Sequence, residues 1–161
     1  MARLLVRLVL GVWIVGIFAA CDVDPLSRLR PGSSRLEDVR QIMGQPTLEW
    51  RHDDGTLIWE YPRTPEGLVN YLLVIGPDQV LREVRQVLSE ENFRRIKPGM
   101  AMDQVRYVLG RPAHERRFSL QQETVWDWKT KVEPGMEWYF NVHFDDRGLV
   151  TRTSTHFVPK G

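Results

Sequence analysis

The sequence predicts an α+β fold: two tandem small units, each with two short helices packed on a three-stranded antiparallel sheet. Three observations predict it. A motif recurs some 67 residues along the chain, each recurrence holds an apolar helical stripe stopped by glycine and proline, and each is followed by apolar runs of strand length.

The two copies line up residue by residue. Leu29-Arg30-Pro31-Gly32 answers Ile96-Lys97-Pro98-Gly99, and Val39-Arg40-Gln41-Ile42-Met43-Gly44-Gln45-Pro46 answers Val105-Arg106-Tyr107-Val108-Leu109-Gly110-Arg111-Pro112. The offset is 67 residues at the first motif and 66 at the second, so one residue has been gained or lost between them. Trp59-Glu60-Tyr61 answers Trp126-Asp127-Trp128 at 67, and Val80 with Arg82 answers Val150 with Arg152 at 70. These matches set the units at 29–86 and 87–161.

In the first copy the leading helix is stunted, reduced to Leu26 to Leu29. Ser34 is the expected N-cap of the next helix, with Glu37 three residues on to complete a capping box. Leu36, Val39, Ile42 and Met43 then share one helical face, Gly44 suits the turn that ends the helix, and Pro46 prevents its resumption. The strand expected from Val69 to Ile75 is apolar on both faces, with Tyr71, Leu73 and Ile75 on one and Leu72 and Val74 on the other. Such a strand wants cover on both sides. The second cover is expected from the other copy, which would join the units into one body; the alternative is an exposed patch that receives a partner.

In the second copy Ser89-Glu90-Glu91-Asn92 opens a helix carrying Phe93 and Ile96 inward, and Val105, Val108 and Leu109 line the next, whose cap position holds Ala101. Trp138, Phe140, Val142 and Phe144 alternate with Tyr139, Asn141, His143 and Asp145, giving a strand with one core face and one wet face. Asp146-Arg147-Gly148 makes a hairpin turn, and the last strand returns from Leu149 to Phe157.

The first 20 residues read as a signal peptide. Arg3 and Arg7 give a positive start, and the apolar run from Leu8 to Ala20 is shorter than the roughly 20 residues of a membrane-spanning helix. Ala19 and Ala20 precede Cys21, the only cysteine, in a pattern that resembles the lipobox of bacterial lipoproteins, with Phe18 in place of the usual aliphatic residue. Cys21 is therefore the expected lipidation site, and residues 21–28 the lipidated N-terminus and linker. Acyl chains there would anchor the protein, since each buried methylene contributes about 0.8 kcal/mol. Asp22 resembles an inner-membrane retention signal of enteric bacteria, so the leader alone leaves the choice of membrane open.

Loss of the leader removes two of the 22 basic residues and none of the 21 acidic ones, taking the formal charge from +1 to −1. Neither a basic stripe for nucleic acid nor an acidic tail remains, and 42% hydrophobic residues supply a core. His52, His114, His143 and His156 lack the short spacing of a zinc motif, and no nucleophile elbow or phosphate loop occurs, so neither an enzyme, a cofactor nor a metal is expected. His143 and Asp145 share the wet face of a strand, a pair read as a solvated sheet face. Trp59, Trp126, Trp128 and Trp138 suit packing. Trp126, Trp128, Tyr139 and Tyr71 are also the candidate partner-binding aromatics, because partly exposed aromatics anchor interfaces.

Ile96 to Met100, Val105 to Pro112, Trp126 to Trp128 and Val142 to Val150 together resemble the BamE/SmpA/OmlA domain of bacterial outer-membrane lipoproteins. The first copy matches more loosely, with Ser33 in place of the methionine. The resemblance implies a non-enzymatic helper of outer-membrane barrel assembly, anchored facing the periplasm, with an envelope protein as partner and the outer membrane as its favoured site. Two units in series also resemble the layout of the beta-lactamase inhibitory protein, which implies as an alternative a module that clasps a periplasmic enzyme.

Overall fold

The computed structural model describes residues 24–160; the expected signal peptide and Cys21 lie outside the described residues. A 3-10 turn, Pro25–Arg28, stands where the first copy's stunted helix is expected, its start held by the Asp24 carboxylate, which accepts from the Leu26 N–H at 3.2 Å. Then come α1 (Leu36–Met43) and four strands, β1 (Leu48–Arg51), β2 (Leu57–Pro62), β3 (Asn70–Ile75) and β4 (Leu81–Gln86). The second copy runs α2 (Glu90–Arg95), α3 (Met102–Leu109), β5 (His114–Phe118), β6 (Glu123–Glu133), β7 (Met136–Phe144) and β8 (Val150–Pro159). Each copy's strands form an antiparallel sheet in chain order, β1-β2-β3-β4 and β5-β6-β7-β8.

This corrects the expected class of three-stranded sheets under two helices. Each sheet has four strands, the helices are few and short, and the first copy has one α-helix rather than two. The strands that sequence patterning missed are the edge strands β1 and β5. All five side chains of β5, His-Glu-Arg-Arg-Phe, are exposed, so no apolar alternation marks it and only backbone pairing with β6 makes it a strand.

The helix stops follow the repeat. Gly44 and Gly110 take φ of 79° and 69°, a region that favours glycine. Their carbonyls are then met by answering residues: the Tyr61 hydroxyl donates to Gly44 at 3.0 Å and the Trp128 indole to Gly110 at 3.1 Å. The starts differ from expectation. Helix α1 begins after Arg35, whose N–H donates to Asp38 at 2.7 Å, while the Ser34 hydroxyl accepts instead from the Arg30 N–H at 2.9 Å. Helix α3 repeats the device, with the Ala101 N–H donating to Gln104 at 2.9 Å. The strand ends also shift by one. Gly32 and Gly99 each donate at 2.8 Å to the carbonyls of Leu81 and Val150, so Leu81 rather than Val80 answers Val150.

The inner face of each sheet buries the expected core. Leu57, Trp59, Leu73 and Ile75 lie under Leu36 and Val39, and Trp128, Phe140, Val142 and Phe144 lie under Phe93, Val105 and Leu109. Burial of such side chains, at about 1.5–3 kcal/mol each, is the main term favouring the folded chain. The outer face of the first sheet is covered as well. Ile58, Leu72 and Val87 form a buried cluster joined by Trp50, Val74 and Tyr107, the last from α3 of the second copy. The Tyr107 ring meets Trp50 edge-on at 5.5 Å. Beside it Arg106 donates to Glu60 at 2.7 Å, a carboxylate with no exposed surface. The buried Asn70 amide caps the end of α3, donating to the carbonyls of Leu109 at 3.0 Å and Arg111 at 2.8 Å. Gly110 is required for that approach, because a Cβ there would stand 3.0 Å from Asn70 Nδ2.

Candidate functional site

The outer face of the second sheet is polar where that of the first is apolar, and Asp127, Lys129, Tyr139, Asn141 and His143 on it are buried among their neighbours. Strand register lays His114, Asp127, Asn141 and Ser154 in one row across β5 to β8; Arg116, Val125, His143 and Arg152 form the next row, and Lys129, Tyr139 and His156 lie on the far side. A cavity of about 360 Å³ opens among them, bordered by Arg116, Phe118, Glu123, Asp127, His143 and His156.

The face neutralises its own charges. Asp127 is almost wholly buried and lies 2.8 Å from His114 Nδ1 and 2.7 Å from Arg116 Nη2. Lys129 donates to Glu137 at 3.1 Å, and the Tyr139 hydroxyl donates to the same carboxylate at 2.9 Å. Burial first, then that carboxylate, push the Tyr139 hydroxyl up to about 12, so it stays a donor. The His156 ring stacks on Tyr139 with centroids 5.2 Å apart.

His143 is the most constrained group. Its Nδ1 lies 3.0 Å from Glu123, and its Nε2 lies 2.8 Å from the Ser154 hydroxyl and 3.1 Å from Arg152 Nη1. A guanidinium only donates, so Nε2 is the acceptor and the ring is neutral. Burial, the largest influence, holds its pKa below the ordinary 6.5. Ser154, His143 and Glu123 thus stand in the order hydroxyl, imidazole, carboxylate. Arg152 competes for the lone pair that would take the serine proton, and Asn141 Nδ2 donates to that serine at 3.1 Å, which damps its nucleophilicity. The face offers fixed donors, acceptors and stacked rings.

Of the aromatics singled out in the sequence, only Tyr139 stands on this face. Trp128 is wholly buried and Trp126 nearly so, both in the core against α3, and the half-buried Tyr71 packs on the core of the first unit. Asp145 does not meet His143; it accepts from the N–H groups of Arg147 at 3.0 Å and Leu149 at 2.9 Å and so shapes the hairpin. Sequence reasoning missed that His114, His143 and His156 share one sheet face. Alternation along β7 marked His143 as outward, but the other two come onto the same face only through the pairing of β5 with β6 and of β8 with β7.

Fold and face together define a protein of two four-stranded antiparallel sheets, the second bearing a polar outer face. Residues 86–154 match the family model of the outer membrane protein assembly factor BamE domain, a stretch that spans most of the second unit. No curated protein matches the chain. A solved structure of a DUF4309 family protein (YjgB) from Bacillus subtilis subsp. subtilis str. 168 aligns over 86% of each chain at 15% identity with a TM-score of 0.34, a likeness that carries no weight for fold or function.

Proposed function

We propose that the protein is a lipid-anchored envelope accessory that serves outer-membrane protein assembly by docking a component of the barrel-assembly machinery on the open face of its second sheet. The BamE-domain match over residues 86–154 carries this reading. The polar, internally neutralised face with its cavity beside Arg116, His143 and His156 supports it, because a partner there meets preset polar groups without stranding a buried charge. Cys21 is the proposed acylation site, and the family favours the outer membrane over the inner one that Asp22 suggests.

The experiment is photo-crosslinking from position 156 in native membranes, with mass spectrometry of the intact protein alongside. Capture of barrel-assembly components and a diacylated Cys21 N-terminus are expected. Capture of a soluble periplasmic hydrolase instead would favour an inhibitor-like clasp, the reading that two units in series also suit. An unprocessed N-terminus would remove the anchor.

A further inference from the structure

The last strand, β8, is an edge of the second sheet, and among the described residues nothing pairs with its outer side beyond Val150. The Lys160 N–H donates to the Gly135 carbonyl at 2.8 Å, which fixes the parity of the ladder. Arg152, Ser154, His156 and Val158 turn their backbone toward β7, and Thr153, Thr155 and Phe157 turn theirs outward. The other sheet's last strand is six residues long and carries Arg82, Glu83 and Arg85, the length and charge that blunt an edge. Strand β8 runs ten residues, its only Arg or Lys is Arg152, and it has no proline before Pro159.

Beside the free edge lies a groove of about 360 Å³ between α2 and β8, with Phe93, Ile96 and Phe140 as its floor and Thr153 and Thr155 as one wall. Phe93 and Phe140 stack there with centroids 4.5 Å apart. Arg94 and Lys97 stand on the rim against a single acid, Glu90. We propose that β8 is a strand-addition site for an extended peptide segment of a partner, with large apolar residues at alternate positions and an acidic residue near the helix. Main-chain bonds to Thr153, Thr155 and Phe157 would supply affinity, and side chains opposite Thr153 and Thr155 would drop into the groove. A second copy is the poorer occupant, since its β8 would offer threonines to an aromatic floor. The inference is independent of the lipid anchor and of the open outer face.

The test is fluorescence anisotropy of the full chain in detergent with a labelled nonapeptide alternating phenylalanine or valine with threonine and carrying one aspartate. Saturable binding is expected, with hydrogen-exchange protection gained along residues 151–158. N-methylation of alternate peptide residues should weaken binding at least tenfold in one register and little in the other, a readout that leaves the protein unaltered. Thr155→Pro, which removes an outward donor, should weaken it similarly. Absence of saturable binding, insensitivity to N-methylation, protection elsewhere, or self-association through β8 that excludes the peptide would each overturn the proposal.

Discussion

The same place in the repeat meets different surroundings in the two sheets. Glu60 and Asp127 answer one another, and their side chains are 0% and 2% exposed. Around Glu60, β1 supplies Leu48 and Trp50, so the neutralising cation comes from Arg106 of the other unit. Around Asp127, β5 supplies His114 and Arg116 at the answering positions. A sheet that borrows its cation is committed to an intramolecular cover, whereas one that carries its own needs none.

The comparison breaks most forcefully at Arg106. Its replacement by alanine strands a buried carboxylate, and a loss of about 3–5 kcal/mol is expected in urea denaturation. Replacing both partners, as in Glu60→Met with Arg106→Met, should recover most of that loss, because apolar neighbours already surround the pair. A single variant as stable as wild type would mean that the two faces do not differ in this way. Asn70→Ala is next. It deletes two hydrogen bonds to the end of α3, each contributing about 0.5–1.5 kcal/mol, so a loss of about 1–3 kcal/mol is expected, with separation of one unfolding transition into two. A single transition at an unchanged midpoint would show that the units are joined elsewhere.

The covered face was legible in the sequence and the open one only in part. Leu72 and Val74, apolar on the wrong side of their strand, announce that something packs there, and Tyr107 from the other copy does. The repeat announces equivalent positions, down to Tyr61 and Trp128 beneath the two helix ends. Strands β1 and β5 stayed hidden because an edge strand is specified by its neighbour's hydrogen bonds more than by its own pattern. That three histidines share one face depends on the register of four strands, which no local spacing encodes.

Arg116→Ala sharpens the comparison from the other side. It also removes a cation from a buried carboxylate, but His114 stays 2.8 Å from Asp127 and the lost guanidinium is itself half exposed, so a loss of about 1–2 kcal/mol, smaller than at Arg106, is expected by calorimetry. Its larger effect belongs to partner capture from position 156, which should fall although the fold persists. A loss matching that of Arg106→Ala would mean that Asp127 is as dependent on one partner as Glu60.

The smallest effect is a slope with pH. Burial holds the His143 pKa below 6.5 against the upward pull of Glu123, so the unfolded chain binds that proton more readily than the folded one. Stability from this group is therefore full above about pH 6.5 and is lost as pH falls from there through the lower folded value. Asp78 and Asp145, whose pKa values are also depressed in the folded state, act only nearer their ordinary 3.8. Between pH 7 and 5 the urea midpoint should fall in wild type and fall less in His143→Gln, whatever the variant's absolute stability. Equal slopes in the two proteins would place the titrating group elsewhere, and the neutral ring between Arg152 and Glu123 would then have no energetic consequence for the open face.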